Sequence, residues 1–195
     1  MHRRFRSIRT ALALSLVAVY ALSSSVVART TAQQQADTPA LVTGGGTIQL
    51  ALGVASFGVN AKRPANYVPG SGDAEGRINY DRHFQVVGGR RVNVPVRYML
   101  ADVVPQGPNQ TGGSATLVGD CTAPGAECPG SGTYRSVEVY VEDNSDHGAG
   151  QDMFQISFCR GSATLPSVTF PALPFGCDPF EGNTLRSGNI QIRAQ

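Results

Sequence analysis

Apolar side chains recur at every second position through most of the chain, and this feature restricts the fold more than any other. Ala55, Phe57, Val59 and Ala61 alternate with Ser56, Gly58 and Asn60. Val92, Val94, Val96, Tyr98 and Leu100 alternate with Arg91, Asn93, Pro95, Arg97 and Met99. Val137, Val139 and Val141 alternate with Glu138, Tyr140 and Glu142, and Phe154, Ile156 and Phe158 alternate with Met153, Gln155, Ser157 and Cys159. Successive side chains of an extended strand point to opposite faces, so this period gives one apolar and one polar face. A helix would repeat at three and four, and after Gln35 almost no segment does. Shorter strands are expected at Thr47–Leu50, Gly76–Asp81, Ala115–Gly119 and Asn189–Arg193, with Gly, Pro, Asn and Asp gathered between them as turns require. The expected fold is all-β: an antiparallel β-sandwich or a partly open barrel of about eight or nine strands.

One hairpin register is open to argument. Gly88-Gly89 is a turn signal between two strand-like stretches. A strict two-residue loop sets Val92, Val94 and Val96 opposite Gln85, His83 and Asp81, which makes no common core face. Placing Val87 opposite Arg91 instead brings Ile78, Tyr80, Phe84 and Val86 across from Leu100, Tyr98, Val94 and Val92, and pairs Asp81 with Arg97. Arg82 then falls on the apolar face. Pro95 cannot donate to a ladder, so its strand is expected at an edge or bulged there. The stretch Thr43–Leu50 echoes Ser187–Arg193, which places the terminal strands in one sheet.

The first residues read as an address. Arg3, Arg4, Arg6 and Arg9 precede the apolar run Thr10–Leu22, which suits a signal peptide over 1–32 with cleavage after Ala28 or Ala32. A short flexible segment, 33–41, and a single β-domain, 42–195, follow. Cleavage after Ala32 removes five of 16 basic residues and leaves 11 against 14 acidic ones, a formal charge of −3. A net negative chain gives no support to nucleic-acid binding. No apolar run reaches the roughly 20 residues of a spanning helix, so no membrane span is expected in the mature chain. The expected location is extracellular or periplasmic.

Four cysteines in an exported chain read as two disulfides. Cys121 and Cys128 flank the turn-rich Thr-Ala-Pro-Gly-Ala-Glu, which favours a local bridge and leaves Cys159 to close on Cys177. In the chain-entropy description these loops stabilise by about 2.5 and about 3 kcal/mol. A zinc site would ask for closer pairs than these spacings offer.

Candidate chemistry is sparse. The chain has no Gly-x-Ser-x-Gly elbow, no His-Glu-x-x-His and no phosphate-binding loop. His83 reads as a surface histidine beside Asp81. Lys62-Arg63 and Arg90-Arg91 could serve as anion sites, but both flank turns and read first as solvated turn residues. The acidic stretch Glu142–Asp152 reads first as a solvated hairpin loop. Its oxygen donors also make Asp143, Asn144, Asp146 and Asp152 candidate calcium ligands, although their order is not that of an EF-hand. No cofactor is expected.

The order of several short motifs resembles the post-choice-of-anchor (post-COAP) domain of bacterial exported proteins. They are Thr43-Gly-Gly-Gly-x-Ile48, Ala55–Lys62, Gly76–Asp81, Val137–Asn144, Gly148–Ile156 and Gly188–Ile192. The resemblance runs from about Val42 to Arg193 and departs at two insertions, Cys121–Cys128 and Gly161–Phe180. It implies an extracellular β-domain that often accompanies other modules, and it transfers no catalytic residue. The expected function is therefore an exported non-enzymatic module of the cell surface or matrix, structural or binding. Its partner would be an extracellular protein or polysaccharide. A calcium- or carbohydrate-binding module and a small secreted hydrolase are the alternatives. A deep pocket lined by two carboxylates, or by His83 with a serine, would favour the hydrolase; a flat surface would favour the module.

Overall fold

The computed structural model describes residues 39–65, 74–83, 90–107, 110–164 and 176–195. Eight strands run in chain order: β1 Ala40–Leu50, β2 Gly53–Arg63, β3 Glu75–His83, β4 Arg90–Gly107, β5 Gln110–Asp120, β6 Ser136–Asp143, β7 Met153–Cys159 and β8 Glu181–Ala194. Each pairs antiparallel with the next, and β8 returns to β1, so the sheet closes into a barrel instead of splitting into a sandwich. All eight expected strands lie inside these elements. Closure is what removes unpaired edges from an all-antiparallel sheet. The signal-peptide stretch 1–32 and residues 33–38 lie outside the described residues. Ala40 and Leu41, expected in the flexible segment, already belong to β1.

The two echoing stretches pair directly with each other, Thr43 opposite Gln191 and Thr47 opposite Ser187. The glycines explain how closely. A Cβ at Gly46 would lie 2.0 Å from the Ser187 carbonyl, and one at Gly188 (φ +101°) would lie 2.0 Å from the Gly45 carbonyl. Only residues without a side chain fit these two positions.

The expected β3–β4 register does not hold. Ile78 pairs with Val94, Tyr80 with Val92 and Asp81 with Arg91, where Leu100, Tyr98 and Arg97 were expected. Phe84, Val86, Val87 and the Gly88-Gly89 turn lie outside the described residues. The slip is six residues, an even number, so Ile78 and Tyr80 still share a face with the valines. Neighbours on the far side account for it: β2 already holds Ile78 against Val59 and Tyr80 against Phe57. Pro95 is not on an edge. It ends the pairing with β3, and from Val96 onward β4 pairs with β5. The bulge falls two residues later, at Arg97, between the Val96–Gly119 and Tyr98–Val118 pairs. It reverses the alternation, so Met99 and Ala101 are buried where Tyr98 and Leu100 were expected.

The barrel is filled by side chains. Phe57 and Phe154 stack with centroids 4.1 Å apart, Tyr80 lies 6.0 Å from Phe154, and Phe158 lies between Tyr80 and Tyr134 at 6.3 and 5.5 Å. Valines, isoleucines and leucines of all eight strands surround this column. Both expected disulfides are present, Cys121–Cys128 and Cys159–Cys177. Among the described residues no helix is long and apolar enough to cross a membrane. Phe154 is fully buried at the centre of the column, so Phe154→Ala should cost roughly 3–5 kcal/mol in urea unfolding. A loss below about 0.5 kcal/mol would mean that the column does not hold the barrel.

Candidate functional site

Three polar constellations stand on this frame, one at each mouth of the barrel and one on its outer wall. At the mouth where β3 ends and β4 begins, Arg82, Arg90 and Glu181 continue the core-facing positions of their strands. The Glu181 carboxylate accepts hydrogen bonds from Tyr80 Oη (2.9 Å), Arg82 Nη1 (2.7 Å) and Arg90 Nη1 (3.0 Å). Asp178 accepts from Tyr134 Oη and from Arg160 Nη2 (3.0 Å), and lies 3.9 Å from Arg90. The Arg90 guanidinium also sits 4.7 Å from the Phe158 centroid, within cation–π range. Burial, then the charge and hydrogen bond of Glu181, push the Tyr80 phenol far above its ordinary value. Hydrogen bonding from Tyr134 holds Asp178 below the usual carboxylate range, with the two arginines assisting. The misfit Arg82 is thus explained by a partner from β8. Arg90, expected as a solvated turn residue, is half-buried in the same network, while its neighbour Arg91 is exposed. Beside the network a cavity of about 360 Å³ is lined by Leu50, Leu52, Asn183 and Glu181.

At the opposite mouth lie the calcium candidates. Asp152 Oδ1 accepts the backbone N–H groups of Asn144 (2.9 Å) and Ser145 (3.2 Å), and its Oδ2 accepts that of Ile190 (2.8 Å). Asp143 Oδ2 accepts the N–H of Ile192 at 2.8 Å. Both carboxylates are buried, not solvated as the hairpin-loop reading expected. The Asn144 amide donates to Glu142 and to the Gln151 carbonyl, and Asp146 is exposed. Among the described residues no group of three or more His, Cys, Asp and Glu side chains is placed to hold a metal ion. The carboxylates instead serve β8, whose pairing with β7 stops at Thr184. Arg63 is buried too, at 1% exposure, where a solvated turn residue was expected.

On the outer wall a groove of about 550 Å³ crosses β2, β3 and β4, lined by Ser56, Gly58, Asn79, Asp81, Arg91 and Asn93, with Glu127 at its side. His83 stands near it. Ser56 Oγ is 3.4 Å from His83 Nε2, and His83 Nδ1 is 3.9 Å from Asp81 Oδ1. The order is that of a serine-hydrolase triad, yet the second separation is beyond hydrogen-bond reach. Asp81 is also engaged by Arg91 at 3.2 Å, and the histidine is 61% exposed. Ser56 lies within a strand paired on both sides, and among the described residues no helix N-terminus stands beside it to supply oxyanion donors.

Sequence reasoning missed Glu138. It points outward from β6, in a row with Val118 and Ser157, but is only 7% exposed. Burial raises its pKa to about 7, and burial also raises Asp143 to about 6. No family model matches this chain, and no curated protein or solved structure does.

Three expectations follow. Glu138 and Asp143 hold their protons more tightly folded than unfolded, so the stability they favour is complete below pH 4 and is lost as pH rises through 6 and 7. Thermal melts should show a falling midpoint from pH 5 to pH 8. Glu138→Gln should restore roughly 1–3 kcal/mol at pH 8 and little at pH 4; an equal effect at both would locate the cause elsewhere. Asp152→Ala leaves three amides without their acceptor and should cost roughly 3–5 kcal/mol. With these oxygens committed to backbone, the melting midpoint in millimolar calcium should equal that in chelator; a rise of several degrees would make this loop a calcium site.

Proposed function

We propose that this chain acts as an exported, non-enzymatic β-module of the cell surface or matrix, whose barrel is a rigid carrier for an outer binding surface. The observation that carries the reading is the commitment of the charged groups at the mouth. Glu181 is shared among Arg82, Arg90 and Tyr80, and Asp178 is shared between Arg160 and Tyr134. Groups so paired hold a structure together and are poorly placed to exchange protons with a substrate. Behind them the aromatic column fills the barrel. The resemblance to post-choice-of-anchor domains supports the same reading, and the two disulfides fit an oxidising extracellular or periplasmic location.

The test uses the full chain recovered after secretion. It is mixed with insoluble surface and matrix material from the producing cells, and separately with a fluorophosphonate probe. Co-sedimentation with the matrix and no probe incorporation are the expected results. Probe incorporation at Ser56 that disappears in His83→Ala would replace the module with a hydrolase.

A further inference from the structure

Resting on the binding-module reading, we infer that the groove across β2, β3 and β4 is a site for a neutral polysaccharide strand. Its side chains supply donors and acceptors together: the Asn79 and Asn93 amides offer both, Arg91 donates, and Asp81 and Glu127 accept. A sugar hydroxyl both donates and accepts, so this mixture matches a polyhydroxylated chain. A polyanion would call for an excess of cationic side chains and a polycation for an excess of carboxylates. Asp81 is paired with Arg91 at 3.2 Å, and once Arg77, which donates to Asn93, is counted, the two acids Asp81 and Glu127 are matched by two bases. The groove is open and crosses several strands, which suits one side of a polymer better than an enclosed small molecule.

Two features show that the surface is built in place. Arg77 Nε donates to Asn93 Oδ1 at 2.8 Å and fixes that amide. Glu127 is held beside it by paired backbone hydrogen bonds with Asn93, both 2.9 Å, from within the loop closed by Cys121–Cys128. That loop gives the groove a stiff wall, so little order remains to be gained on binding.

Gly58 is the most informative position. It lies in mid-strand opposite Gly45 and Asn79, where glycine weakens a sheet. Packing does not require it: an added Cβ would come no closer than 4.0 Å, to Asn79 Cβ. Nor does its backbone lie in the left-handed region. What the glycine does is leave bare backbone on the groove floor.

Affinity electrophoresis in native gels containing dextran, hydroxyethyl cellulose or alginate tests the site. Retardation by at least one of the neutral polymers, and not by alginate, is expected. Gly58→Thr should keep or raise the melting temperature and abolish the retardation, since threonine suits a strand and fills the floor. Asn79→Ala should weaken retention roughly tenfold, the loss of about one good hydrogen bond, while Gln191→Ala on β8 should leave it unchanged. Retention undiminished in Gly58→Thr and Asn79→Ala would overturn the groove and leave the module reading standing. Retention by alginate alone, or by none of the three, would overturn the neutral-polysaccharide assignment. Matrix co-sedimentation judges the module reading separately.

Discussion

Strand β8 pairs with β1 over Leu185–Ala194 but with β7 only at its start, so beyond Thr184 its side facing β7 has no ladder to complete it. Its ladder with β7 covers only Glu181–Thr184, whereas its ladder with β1 continues to Ala194. Beyond the short contact, the amides of Ile190 and Ile192 face a gap in the sheet. A buried N–H left there without an acceptor would cost about 1–3 kcal/mol. Asp152 and Asp143 supply the missing acceptors from the neighbouring loop and the end of β6. Closure therefore depends on carboxylates that have been taken out of water. The raised pKa of Asp143 reflects that burial, with the nearby Asp152 and Asp146 charges adding to it and the Ile192 hydrogen bond opposing it.

The other mouth meets a different problem with the same kind of group. There the core-facing rows of β3, β4 and β8 run out in Arg82, Arg90 and Glu181, and half-buried charge is costly unless paired. The network pairs it, and Tyr80 ties it to the aromatic column below. The Cys159–Cys177 bridge lies beside it, with Asp178 donating its N–H to the Phe158 carbonyl and Arg160 donating to that of Gly176. This bridge thus does more than restrict the unfolded chain: it presents Asp178 to Arg160 and Tyr134.

Much of the frame was legible because period-two alternation is a local signal. Phe57, Val139, Ile156 and Phe158 could be assigned to the core from their neighbours alone. The terminal echo was readable because it is itself a pairing partner. Both disulfides were legible because the turn-rich residues between Cys121 and Cys128 favour a local bridge, which leaves Cys159 to close on Cys177. What failed depended on distant residues. The β3–β4 register was drawn from one hairpin, but β2 and the shared partner Glu181, 99 positions beyond Arg82, decide it. The bulge at Arg97 leaves no mark in composition. Arg63, Arg90 and Asp152 looked like solvated loop residues because burial of a charge depends on groups that periodicity does not place. Glu138 was assigned correctly to the outer face; its burial could not be seen.

The groove follows from the same division between barrel and insertion. Strands β2 and β3 alone would present a flat row of Ser56, Gly58, Asn79 and Asp81, too shallow to grip anything. Asn93 on β4 has no β5 partner, because β4 and β5 join only at Val96, so one side of its backbone is free to bond outside the barrel. The Cys121–Cys128 loop takes that position through Glu127. The Cys121–Cys128 loop is thus the segment that turns a flat face into a groove. Pro95, two residues on, lacks the N–H that would extend pairing past that point. A barrel closed for stability has no edge to offer a partner. Here the handover between two neighbours of β4 reopens a short stretch of backbone, and the disulfide loop converts it into a wall.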